Sequence, residues 1–196
     1  MKNTLIIIFS LVSFISAQSF EYIGINKCKT CHKSEKKGAQ FKKWEASPHA
    51  NAFETLKSEA SINIAKEAGI AKSPWEADQC LKCHSTGYGM GGYEVKDAAF
   101  WEEKTKKGKP TKAVKRMAGL QTVGCEACHG PGSEYKKKKV MAAVYKGETD
   151  PVSVGLWRID EGTCKQCHNE SSPTYKSFDY DERYKEILHP YPDDME

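Results

Sequence analysis

Histidine is scarce in this chain, with 6 residues in 196, and no cysteine is left unmatched, because all eight fall into four close pairs. Beyond residue 17 no apolar run approaches the ~20 residues that a membrane-spanning helix needs, so no transmembrane anchor is expected. Charge of one sign is also missing. Thirty Lys and Arg against 26 Asp and Glu leave a formal net charge of +4, too little to argue for a nucleic-acid partner. Strand signals are weak throughout, which excludes an all-β architecture and a thioredoxin-like βαβ unit. Apolar surface is short as well: with a mean hydropathy of −0.65, side chains alone make a thin core. Partial disorder is the ordinary consequence of such a composition, unless something else supplies apolar surface.

The N-terminus reads as a signal peptide over residues 1–17. Lys2 gives the positive start, Thr4 to Ile15 the apolar run, and Ser16-Ala17 the small residues for cleavage. The first cysteine, Cys28, is too far on to be a lipoprotein cysteine. The remainder, 18–196, is expected to be one exported domain, periplasmic by default and extracellular as the other option.

Each cysteine pair is followed at once by histidine: Cys28, Cys31 and His32; Cys80, Cys83 and His84; Cys125, Cys128 and His129; Cys164, Cys167 and His168. Two thiols at this spacing add across the two vinyl groups of one haem, and the next imidazole swings under the iron as its proximal ligand. A zinc ribbon uses paired cysteines but has no need of a histidine after every pair. A disulfide framework suits an exported chain but imposes no repeated local spacing. The reading is four covalently bound haem c groups, whose flat apolar faces also relieve the thin core. Each ferric haem with two ionised propionates adds about −1, so the oxidised holoprotein is close to neutral.

The fold is expected to be mainly α, a single multihaem cytochrome domain of short helices and long haem-wrapping loops. A helix is expected over Gly38 to Ala46. Ser47 reads as an N-cap for a second helix from Pro48 to about Glu59, and a third runs from Ser61 to Ala68, stopped by Gly69. Gly87, Gly89, Gly91 and Gly92 mark a loop, and Lys104 to Arg116 reads as a mobile, lysine-rich connection. Gly130-Pro131-Gly132 turns the chain. Ser133 then reads as the cap of a helix to Tyr145, ended by Gly147, and the last helix spans Asp179 to Leu188, before His189-Pro190. Trp44, Trp75, Trp101 and Trp157 are expected against haem faces.

Four six-coordinate irons need eight axial groups. With four histidines proximal, only His49 and His189 remain, so at most two haems can be bis-histidine within one chain. Met90, Met117, Met141, Tyr135 and the lysines beside it are the other candidates, and an open iron that admits small ligands is the alternative.

Several segments together resemble the cytochrome c-554 family of tetrahaem electron acceptors. They are Cys28 to His32, Trp44-Glu45-Ala46-Ser47-Pro48-His49-Ala50-Asn51-Ala52, Cys80 to Tyr88, Gly91-Gly92-Tyr93, Val123 to Gly132, and the C-terminal helix ending in His189. The resemblance implies a mainly helical protein with closely stacked haems, passing electrons from an enzyme (hydroxylamine oxidoreductase in ammonia-oxidising bacteria) to a downstream acceptor. It also implies that His49 and His189 are distal ligands and that the haem of His84 is open. One departure stands out. Where the family usually has a further distal histidine after the Gly-Pro-Gly turn, this chain reads Ser133-Glu134-Tyr135-Lys136-Lys137-Lys138-Lys139-Val140-Met141.

The function expected is therefore electron transfer between a redox donor and acceptor. Two alternatives differ in class: a haem enzyme acting on a small nitrogen or oxygen species at an open iron, and a subunit of a haem filament in which copies lend histidines to one another. The lysine clusters Lys104 to Arg116 and Lys136 to Lys139 could dock an acidic partner.

Overall fold

The computed structural model describes residues 19–189. The expected signal peptide and Pro190 lie outside the described residues. The architecture is mainly α. Eleven short helices run along the described chain: α1 Ile25–His32, α2 Gln40–Glu45, α3 Ala52–Thr55, α4 Glu59–Glu67, α5 Asp78–His84, α6 Ala98–Glu102, α7 Lys112–Ala118, α8 Cys125–His129, α9 Lys138–Tyr145, α10 Glu161–Lys165 and α11 Tyr180–Ile187. The only β feature among the described residues is one isolated bridge between Lys104 and Pro110. No helix among them is long and apolar enough to cross a membrane.

Side-chain caps open five of the eleven helices. Ser58 accepts from the Ser61 N–H to open α4, Asp97 from Phe100 for α6, Thr111 from Val114 for α7, and Asp179 from Glu182 for α11. Asp160 and Thr163 form a reciprocal capping box at α10. These caps satisfy N–H groups that helices this short could not otherwise satisfy.

The structure differs from sequence expectation in four places. Gly38 and Ala39 are left-handed, so α2 begins only at Gln40. The segment from Pro48 is not one helix: a 3-10 turn over Pro48–Asn51 passes into α3. Ser47 does not cap it, because its hydroxyl turns back and donates to the Trp44 carbonyl at 2.7 Å. Ser133 does not cap a helix either. Its Oγ accepts from the Glu21 N–H at 3.1 Å, and α9 starts only at Lys138. Finally, the lysine-rich connection is structured: Thr105 N–H donates to the Lys109 carbonyl at 2.7 Å, and α7 follows from Lys112.

The apolar core is small and built around the second motif. Tyr22, Phe53, Leu56, Leu81, Tyr93, Met117 and Leu120 form one buried cluster, with Trp75, Cys80, Tyr88, Phe100 and Trp101 packed against it. Phe53 meets Tyr93 edge-on at 5.4 Å. Trp75 and Trp101 thus belong to the protein core, while the Trp44 indole N–H donates to the Val123 carbonyl at 2.9 Å. Arg116 ties α7 to the N-terminal segment and the glycine loop, donating to Tyr22 O at 2.6 Å and Gly91 O at 2.8 Å.

Candidate haem-attachment sites

All four Cys-x-x-Cys-His segments lie on helical turns. The first three end their helices at His32, His84 and His129. The fourth straddles the end of α10, where the Cys167 and His168 N–H groups both return to the Cys164 carbonyl. A helical turn places residues three apart on one face, so both thiols of each motif point the same way and the histidine follows on that side. None of the eight cysteines is in a disulfide.

Two of the motif histidines have their tautomer fixed by a hydrogen-bond partner. His84 Nδ1 lies 2.6 Å from the Ala52 carbonyl, which can only accept, so Nδ1 carries the proton and Nε2 keeps its lone pair. His32 Nδ1 lies 3.2 Å from Gln40 Oε1. The Gln40 amide nitrogen itself donates to the Lys37 carbonyl at 2.6 Å, so Oε1 is the acceptor and His32 Nε2 is again the free donor atom for a metal. This arrangement suits iron ligands.

The two histidines outside the motifs each sit opposite a motif histidine. The His49 and His168 ring centroids are 6.1 Å apart, and those of His129 and His189 are 5.9 Å apart. Two metal–imidazole bonds of about 2 Å, plus ~1.1 Å from each nitrogen to its ring centre, span roughly 6 Å. Each pair therefore stands at the separation that two axial ligands of one iron require. Burial, and next the nearby His168, holds His49 below the usual imidazole range. His129 is lowered to about 4 by burial and then by the proximity of His189 and His32. Neutral imidazoles are the state that binds a metal. Phe178 stacks on the His168 ring at 4.5 Å, fixing its plane.

The motifs also neighbour one another. The Cys28 thiol is pushed up first by its neighbour Cys125, the Cys83 thiol is lowered first by its neighbour Cys167, and the Cys128 thiol is raised by burial and next by nearby Cys164. First and third motifs are thus adjacent, as are second and fourth, and a third contact links the two sets.

Glu126, between the two cysteines of the third motif, is a functional residue that sequence reasoning missed. Its side chain is 1% exposed, and its carboxylate accepts from the backbone N–H groups of Ile23, Gly24 (2.7 Å) and Gly132 (2.7 Å). Burial pushes its carboxyl up and these three N–H groups pull it back. It pins the strand-like N-terminal segment onto the Gly130–Gly132 turn, and so holds the first motif against the third.

Two of the candidate axial ligands have other roles. The Met117 sulfur is in the core and accepts from the Glu94 N–H at 3.3 Å, and the buried Tyr135 hydroxyl donates to the Gly130 carbonyl at 2.6 Å. Met90 is 57% exposed. Among the described residues no group of three or more His, Cys, Asp or Glu side chains is placed to hold a metal ion, so a zinc site has no ligand set there.

The chain is similar to known proteins along most of its length. The family model described as cytochrome c554 and c-prime matches residues 27–130, a stretch that holds three of the four motifs. Cytochrome c-554 of Nitrosomonas europaea is 30% identical over 180 residues, covering 84% of this chain and 67% of the relative. The solved structure of the reduced state of cytochrome c554 from Nitrosomonas europaea matches with a TM-score of 0.52 at 26% identity, covering 86% of this chain and 79% of the other.

Proposed function

The chain belongs to the cytochrome c554 family, multihaem c-type cytochromes that transfer electrons, and we propose that it is an exported tetrahaem carrier passing electrons between a protein donor and a protein acceptor. Haem c, when bound, supplies the one-electron chemistry, and the chain's own residues hold and tune it. In this reading the pairs Cys28/Cys31, Cys80/Cys83, Cys125/Cys128 and Cys164/Cys167 each fasten one haem, with His32, His84, His129 and His168 as proximal ligands. His49 is the second ligand opposite His168, and His189 the second ligand opposite His129.

The observation that carries this reading is the pair of imidazole separations, 6.1 and 5.9 Å, formed by the two histidines that the motifs do not use. The adjacency of the first and third motifs, the second and fourth, and Cys128 with Cys164 supports a continuous path, because electrons pass readily only between close cofactors. A filament built on histidines lent between copies has no donor left, since both spare histidines face a histidine of their own chain.

The test is the intact mass of the full chain after export with haem-attachment machinery. Four haem adducts per chain are expected, and three in a variant carrying Cys164→Ala and Cys167→Ala. Three or fewer on the native chain would contradict the reading.

A further inference from the structure

We infer that the haem fastened by Cys28 and Cys31 offers its second axial position to a small neutral diatomic molecule of the nitric oxide or carbon monoxide class. The inference rests on the ligand assignment above and adds a binding site to it. The chain has 6 histidines, and four belong to the motifs. His49 stands 6.1 Å from His168 and His189 stands 5.9 Å from His129, so both spare imidazoles are committed to the third and fourth haems. No histidine remains for the haems of His32 and His84.

Three side chains that could reach toward His32 are held elsewhere. Tyr135 lies near Cys28, but it is 7% exposed and its hydroxyl is held by the Gly130 carbonyl at 2.6 Å. Met117 is locked in the core with its sulfur accepting from Glu94. Lys29 reaches the other way, sitting over the Phe41 ring at 4.7 Å and 3.9 Å from Glu45.

Access separates the first haem from the second. Helix α1 buries none of its residues, and Cys31 is exposed, whereas α5 buries Leu81 completely and packs Cys80 against the core. The first motif is thus the more solvent-exposed of the two. The hydrogen bond from His32 Nδ1 to Gln40 fixes the imidazole's orientation and makes it a stronger proximal donor.

The experiment is a carbon monoxide titration of the fully reduced, full-chain holoprotein, read in the Soret band. Two molecules per chain are expected, rising to three in His49→Ala and three in His189→Ala, which leaves His32 and His84 as the open sites by elimination. One molecule or none per native chain overturns the inference, as does a count that either variant fails to raise. An EPR spectrum of the oxidised protein in which lysine closes the first haem as a low-spin species also overturns it. Failure here leaves reversible electron uptake intact, so it is distinguishable from failure of the electron-carrier reading.

Discussion

Glu126 and Gly24 are joined by a 2.7 Å hydrogen bond, from a backbone N–H of the N-terminal segment to a carboxylate buried inside the third motif. The same carboxylate accepts from Ile23 and Gly132. Replacing it by glutamine keeps the volume but turns an NH2 group toward backbone donors. A buried donor left without a partner costs about 1–3 kcal/mol. Glu126→Gln is therefore expected to lower unfolding free energy by roughly 2–4 kcal/mol in denaturant titrations of the holoprotein, with haem content retained.

Gly130 ends α8 at φ +78 and ψ 175, a region that side chains essentially do not enter. A Cβ there would meet the Gly155 carbonyl oxygen at 2.5 Å and the Trp157 ring at 2.7 Å. Gly130→Ala combines backbone strain with overpacking, each about 1–3 kcal/mol. The expected outcome is a melting midpoint lower by roughly 10 °C or more and a poor yield of holoprotein.

Much of the site was legible in the sequence, but its connections were not. The Cys-x-x-Cys-His spacing is local chemistry, and α4 and α11 begin within a residue or two of where polar caps and apolar spacing put them. Ser133 and Ser47 have the sequence signature of caps, but their hydroxyls are drawn elsewhere, to the Glu21 N–H and the Trp44 carbonyl. Lys104 to Arg116 reads as loose when only glycine, proline and lysine are weighed. Thr111 as a cap and the buried Val114 and Met117 give α7 its reason. Glu126 is hidden because two of its three partners, Ile23 and Gly24, lie a hundred positions upstream. The pairing of His49 with His168 was equally hidden, because nothing in either segment names the other.

His32 is oriented by Gln40, whose Oε1 accepts a hydrogen bond from the imidazole Nδ1–H at 3.2 Å. Gln40→Leu removes that acceptor and makes the imidazole a weaker donor to iron. The iron–histidine stretch of one reduced haem in the resonance Raman spectrum is expected to fall. An unchanged stretch would place the proximal hydrogen bond elsewhere.

Lys136, Lys138 and Lys139 are exposed at the start of α9, and only neighbouring Lys137 is paired, with Glu134 at 2.8 Å. If this cluster steers an acidic redox partner, reversing all three to glutamate slows the bimolecular electron-transfer rate at low salt by about 10-fold or more. The wild-type rate then also falls as sodium chloride rises toward 0.5 M, whereas the rate of the triple variant rises as its repulsion is screened. Stopped-flow rates across a salt series check this.

His49→Ala removes the imidazole that stands 6.1 Å from His168. One low-spin ferric haem is expected to become high-spin in low-temperature EPR, with the other three signals unchanged and all haems still attached. His189→Ala produces the same change in a different haem.

The central claim is that one chain carries four haems acting as a reversible electron store and relay. Coulometric titration of the oxidised full-chain holoprotein tests it most directly. The account predicts four electrons taken up and returned per chain, with superimposable reductive and oxidative curves. Uptake of three electrons or fewer, or a reductive charge that is not recovered on oxidation, would contradict it.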